Sequence, residues 1–557
     1  MKKKSTLFLA SLIAVSGFTA ACSGGGDDKD SKSGSGTASK SGGEEQVLNF
    51  ASTSDIPSMD SSLATDQVSF DVFNQTLEGL YTLDKNDKAV PGVAEGDPEK
   101  SKDGKTWTIK LRDDAKWSNG DPVTANDFVY AWRRTLNPKT GAEYAYIMSD
   151  IKNATAVNEG KMKPEELGVK AVDDHTLEIQ LETNVPYFQE MLAFGTFMPQ
   201  NEKFVKEKGD KYGTTAENTL SNGPFKLDSW ETEKKFVLKK NDEYWDKDKV
   251  KLDQVNYQVV KENQTALNLY NTGKIDSVIL TPENVDKYKN DKNFVTEKEA
   301  TTFFLRINTT KNKDLKNKNL RLAIAKSYDK DKYVKNLLNN GSIPVDTLMP
   351  KEFVKGPDGK DYIDGVKSPL NYDAAEAKKY LEKAKDELGK DKFEIQFLTY
   401  DTDVSKKDAE YIKEQVESNL PGVELKIKQQ PFKQKLALES KGDYDISMAG
   451  WGPDYPDPMT FLDMFVTDGP HNQTGYSNDK YDQMIKDAKG PLLEKPEERW
   501  KTMQSAESMF LEDAYIAPVY QRGISRLRQG YIKNYVTHMF AGDTTLKETY
   551  IEGKDKK

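Results

Sequence analysis

Apolar and polar positions alternate along the chain in a way that predicts its elements. In TWTIKLR, residues 106–112, the side chains of Trp107, Ile109 and Leu111 share one face, as in a strand with one buried side. Ser118-Asn119-Gly120-Asp121 predicts a turn. Thr124 with Asp127 then predicts a capping box that opens a helix through Phe128, Val129, Ala131 and Trp132. Val169/Ala171 and Leu177/Ile179/Leu181 flank Asp173-Asp174 as a hairpin, and Phe225/Leu227 with Phe236/Leu238 suggest another.

The second half reads differently. Ala374–Leu388 carries an apolar stripe at helical spacing. Phe393, Ile395 and Phe397 alternate, a stripe of Ala409, Ile412, Val416 and Leu420 follows, and Val423, Leu425 and Ile427 alternate again after Pro421-Gly422. Strand, helix and strand at this spacing predict a right-handed parallel crossover. No repeat of 20–50 residues is visible. At 557 residues, about two to four domains are expected. The pattern describes α/β bodies with mixed sheets, in which ligands usually lie between domains.

The first residues break that texture. Lys2, Lys3 and Lys4 precede an apolar run from Leu7 to Phe18, too short to span a bilayer and typical of an export signal. Cys22, the single cysteine, follows Thr19-Ala20-Ala21, so a signal peptide over 1–21 with lipid on the Cys22 thiol is expected, although Thr19 stands where leucine is usual. The Gly/Ser/Lys/Asp-rich residues 22–46 then read as a flexible tether. Mean hydropathy is −0.78. The net charge is −10, and loss of the three lysines makes it more negative. Such a balance argues against nucleic acid as a partner.

Catalytic chemistry is thinly supplied. His175, His471 and His538 are the only histidines and lie in unrelated contexts, so no metal or other cofactor is expected. There is no G-x-S-x-G elbow and no P-loop.

The distinctive stretch is AGWGPDYPDPMTFLDMF, residues 449–465, with Asp454, Asp457 and Asp463 among prolines and aromatics. Asp454 and Asp457 share one proline-punctuated loop, whereas paired glycosidase acids come from separate elements. A calcium loop of EF-hand type would need an interior glycine where prolines stand. A carboxylate at a strand end, walled by Trp451 and Tyr455, suits an ammonium group, and Gly450 and Gly452 allow a ligand backbone to approach. An extended peptide could add there as a strand. Asp457 is expected to turn the loop after Pro456, and Asp463 to lie on the polar side of a packed helix.

Together with LEGLYTLD at 77–84, TWTIKLRDDAKWSNGDPVTANDFVYAWRR at 106–134 and SNGPF at 221–225, this stretch resembles the oligopeptide-binding proteins of ABC importers, of the extracellular solute-binding protein family 5, peptide/nickel type. The resemblance runs from about Val47 to the C-terminus. It implies a two-lobed, three-domain periplasmic-binding-protein-like fold (type II) with a hinge and the ligand enclosed between lobes. Domain I is implied over 47–77, 207–303 and 522–557, domain II over 78–206 and domain III over 304–521. It further implies that Asp454 pairs with a peptide α-ammonium, that Gly450, Trp451 and Gly452 supply backbone bonds, and that a loop at Gln67 and Val68 flanks the ligand from the other lobe. Arg306, Lys326 and Arg526 are candidates for the peptide carboxylate, although a surface or structural charge is the simpler role for each.

The implied protein is a monomeric, lipid-anchored receptor on the outer face of the cell membrane. It delivers extracellular oligopeptides to ABC permease subunits and catalyses nothing. Affinity on the order of micromolar, about −8 kcal/mol, would allow release. A signalling-peptide, metal-chelate or sugar binder of the same family and an exported carboxylate hydrolase are the alternatives.

Overall fold

The structure, a computed structural model, describes residues 45–554. The expected signal peptide, Cys22 and nearly all of the expected tether lie outside the described residues.

Three β-sheets organise a mixed α/β fold of two lobes. The first has four strands in the order Val47–Ser52, Gln254–Val259, Lys235–Lys240, Phe225–Glu231, with the first pair parallel. The second has the order Glu99–Lys100, Thr106–Lys110, Thr176–Gln180, Val169–Asp173. The third and largest runs Ser277–Ile279, Ile516–Arg528, Phe294–Ile307, Ile446–Trp451, Phe393–Tyr400, Val423–Gln430, and Ile343–Pro344 pairs with its second strand.

The local expectations are largely met. Trp107 and Ile109 are fully buried on one face of Thr106–Lys110. Thr124 caps the helix Ala125–Leu136: its N–H donates to Asp127 Oδ2 at 2.8 Å, and the Asp127 N–H donates back to the Thr124 carbonyl. Both hairpins form. Phe393–Tyr400 and Val423–Gln430 pair in parallel through the helix Asp403–Asn419, which buries Ala409, Ile412 and Val416. The helix Ala374–Leu388 is present and buries Ala377, Leu381 and Ala384.

Two long strands position the site. Phe294–Ile307 and Ile516–Arg528 pair with each other along most of their length, with the register broken between Lys298 and Thr302. The boundaries implied at 303/304 and 521/522 fall inside these two strands. Beyond the break, Phe294–Ile307 also pairs with Ile446–Trp451, placing Phe303 opposite Gly450 and Thr302 opposite Trp451.

Candidate ligand-binding site

The strand Ile446–Trp451 is buried over most of its length because it lies inside the large sheet. Its two edges differ. One pairs with Phe294–Ile307 as far as Trp451, whereas the other pairs with Phe393–Tyr400 only at Ile446 and Ser447. From Met448 onward that second edge has no strand partner among the described residues. Pro453, which has no N–H to continue a ladder, follows after Gly452.

Met448, Ala449, Gly450, Trp451, Gly452 and Asp454 line one wall of a cavity of about 1010 Å³. A Cβ at Gly450 would lie 2.9 Å from the Phe303 ring, and Phe303 in turn stacks on Tyr520 with ring centroids 4.9 Å apart. Any side chain at 450 would therefore displace the Phe303 ring.

Asp454 is 3% exposed. The Tyr144 hydroxyl donates to its Oδ1 at 3.2 Å and the Thr460 hydroxyl to its Oδ2 at 3.3 Å, while the Asp454 N–H donates to Thr460 Oγ1 at 2.9 Å. No ion pair among the described residues involves it. Burial, reinforced by Asp463, pushes its carboxyl well above the usual carboxylate range. Trp451 donates Nε1–H to the Thr460 carbonyl at 3.0 Å and lies parallel to Tyr144, centroids 6.0 Å apart. His471 packs edge-on against both rings, and burial followed by the Arg306 charge lowers its pKa to about 3, keeping it neutral.

The other two acids of the stretch have cations. Asp457 takes both Arg499 terminal nitrogens at 2.7 Å and accepts the Met459 N–H at 3.0 Å, so it shapes the loop and anchors it. Asp463 is buried, contrary to its expected place on a polar helix face, and pairs with Lys489 Nζ at 3.2 Å. The reason is local: the expected helix is only the turn Met459–Leu462, and the chain folds Asp463 inward onto the helix Asp479–Lys489. Burial raises the Asp463 carboxyl to about 6.

Tyr455 does not line the cavity; its ring stacks on Tyr187 at 5.2 Å beside Arg499. Gln67 and Val68 do line it, but they open the helix Gln67–Thr76 and are not in a loop. Asp66 supplies the cap by accepting from the Ser69 N–H at 2.9 Å, a signal visible in the sequence as an acid three residues before a helical stripe. Gln67 donates Nε2–H to Asp543 at 2.8 Å, and its Oε1 lies 4.0 Å from where a Gly452 Cβ would be. Gln67 and Gly452 thus face each other.

Arg306 and Arg526 line the cavity, each beside a carboxylate, Glu439 at 3.8 Å and Glu297 at 2.8 Å. Lys326 lies outside the lining, held by the Pro369 carbonyl, Asn371 and Glu376. A further group on the cavity wall joins Arg522 to Glu299 and Asp543, with the Asp543 N–H donating to Asp71. Burial raises Asp71, Glu299 and Asp543 each to about 7. Sequence reasoning missed Tyr144, Thr460 and His471. Thr460 stands within the same stretch, but Tyr144 is 310 positions from Asp454 and carries no local signal.

A strand edge left open and a buried acid without a charge partner thus share one wall of the large cavity. The chain belongs to the bacterial extracellular solute-binding proteins, family 5, whose model matches residues 88–473. It is therefore a solute receptor and not an enzyme. It is 34% identical to the dipeptide-binding protein DppE of Bacillus subtilis, over 92% of this chain and 93% of that one. Among solved structures it resembles the substrate-binding domain of an oligopeptide ABC transporter from Bacillus anthracis, with TM-score 0.90 and 51% identity over 91% of this chain and 99% of that one. Listeria monocytogenes OppA bound to peptide is similar at TM-score 0.89 and 46% identity, with the same shares covered. No helix among the described residues is long and apolar enough to cross a membrane.

Proposed function

We propose that this protein captures extracellular oligopeptides, is held to the outer face of the membrane by lipid on Cys22, and delivers its ligand to an ABC permease. The observation that carries the peptide reading is the contrast among three neighbouring acids. Asp457 and Asp463 each have a basic partner, whereas Asp454 has none and lines the cavity. A peptide α-ammonium would supply the missing charge, and the free edge beyond Ser447 would pair with the peptide backbone whatever its sequence. At about 1010 Å³ the cavity has room for several residues of extended chain.

Residues 47–77, 207–303 and 522–557 would form domain I, 78–206 domain II and 304–521 domain III. The register break at Lys298–Thr302 in the two connecting strands would serve as the hinge. Closure then follows from contacts that the ligand makes with both lobes.

Titration calorimetry with free and N-acetylated tri- to hexapeptides tests this reading. Free peptides are expected to bind and acetylated ones to bind far more weakly. Equal affinities would remove Asp454 from its role, and hydrolysis of the peptides during titration would remove the transport role.

A further inference from the structure

The cavity holds a second buried acid without a charge partner. Asp408 sits in the second turn of the helix Asp403–Asn419, is 6% exposed and lines the cavity. Its Oδ1 is fully buried, its near polar neighbour is the Tyr333 hydroxyl, and no ion pair among the described residues involves it. The neighbouring Lys407 turns outward to Glu283 at 2.9 Å.

Aromatic groups surround this acid. Tyr520 and Tyr400 line the cavity with it, and Tyr333 packs behind, its ring centroid 5.7 Å from that of Tyr520. Tyr400 is flanked by Phe432 at 5.7 Å. Leu337, Leu338 and Val404 add apolar lining. A carboxylate at the base of an apolar, aromatic-walled recess fits a long aliphatic stem that ends in a positive charge. The stem gains from burial, and the charge gains from both the acid and the ring faces.

The cations already present on the cavity wall do not fill this role. Arg522 is held by Glu299 and Asp543 and Arg526 by Glu297; Lys435 is paired with Glu439 at 2.8 Å and lies over the Tyr400 ring, 4.4 Å from its centroid, leaving Tyr520 as the ring face for a ligand cation. Burial raises the Asp408 carboxyl to about 7, opposed by the Tyr333 hydroxyl and the Lys407 charge.

We infer that the recess formed by Asp408, Tyr400 and Tyr520 is a subsite for a lysine or arginine side chain of the bound peptide. This rests on the peptide reading above and deepens it. Phe303 is opposite both Gly450 and Tyr520, so Tyr520 stands two strands from Gly450, about 10 Å across the sheet.

The test is calorimetry with tetra-alanine and with tetrapeptides carrying one lysine, norleucine or glutamate at each position in turn. At one position lysine is expected to bind about tenfold or more tighter than norleucine, and glutamate more weakly than either. Asp408→Asn should abolish the lysine preference while leaving tetra-alanine affinity within about threefold. Equal binding of lysine and norleucine at every position would overturn the subsite, as would a preference that survives Asp408→Asn. The wild-type series decides the matter even where the variant fails to fold. Failure of folded wild-type protein to bind any of these peptides would overturn the peptide reading itself, and the subsite with it.

Discussion

The Tyr144 hydroxyl donates to Asp454 Oδ1 at 3.2 Å across 310 positions of sequence. It joins a short helical turn, Glu143–Met148, to the loop that leaves the large sheet. Asp454→Asn is expected to weaken binding of free peptides by about 2–5 kcal/mol, as for loss of one partner of a buried ion pair. Tyr144→Phe removes one neutral donor and should cost about 1 kcal/mol. Calorimetry on both variants would show the ranking, and the ligand-free Asp454→Asn protein should melt no lower than wild type.

Binding should release a proton. Burial favours the protonated form of Asp454 in the empty cavity, and an ammonium ligand favours the ionised form. Affinity is thus expected to rise with pH until the peptide amine itself loses its proton, near about 8. Enthalpies measured in buffers of different ionisation heat would show the release.

Ligand-free stability should show the opposite trend from the acids around Arg522. Asp71, Glu299 and Asp543 titrate near about 7 when folded, against reference values of 3.8 for Asp and 4.5 for Glu. The folded state therefore holds protons that the unfolded chain gives up. Their contribution to stability is greatest at acid pH and declines as pH rises from about 4 to about 7. Urea denaturation at pH 5.5 and 7.5 should show a shallower decline in Asp71→Asn than in wild type.

Asp457 predicts a different phenotype from Asp454. Removing it strands Arg499, which is buried beside Tyr187 and Tyr455. Asp457→Ala should lower stability by about 3–5 kcal/mol, read as a lower urea midpoint, with peptide affinity of the folded protein much less affected.

Gly450→Ala is expected to weaken binding through Phe303. The new methyl would sit 2.9 Å from that ring and push it into the cavity or off Tyr520. Loss of affinity with little change in melting temperature is the expected result.

The sequence by itself determined the elements that depend on near neighbours. Alternation at Trp107 and Ile109, the Thr124–Asp127 cap and the crossover from Phe393 to Val423 are local patterns, and each formed as read. It also singled out Asp454, because glycines, prolines and aromatics around an acid are visible in a window of a few residues. Only the tertiary structure decided what each acid does. Asp457 meets Arg499 and Asp463 meets Lys489 from helices far along the chain, and Tyr144 reaches Asp454 from farther still. Tyr455 was drawn into the core by Tyr187, and Asp408 lay unmarked in the crossover helix. Whether a carboxylate is paired or left for a ligand depends on which distant charges folding brings beside it, and that information is spread over the whole chain.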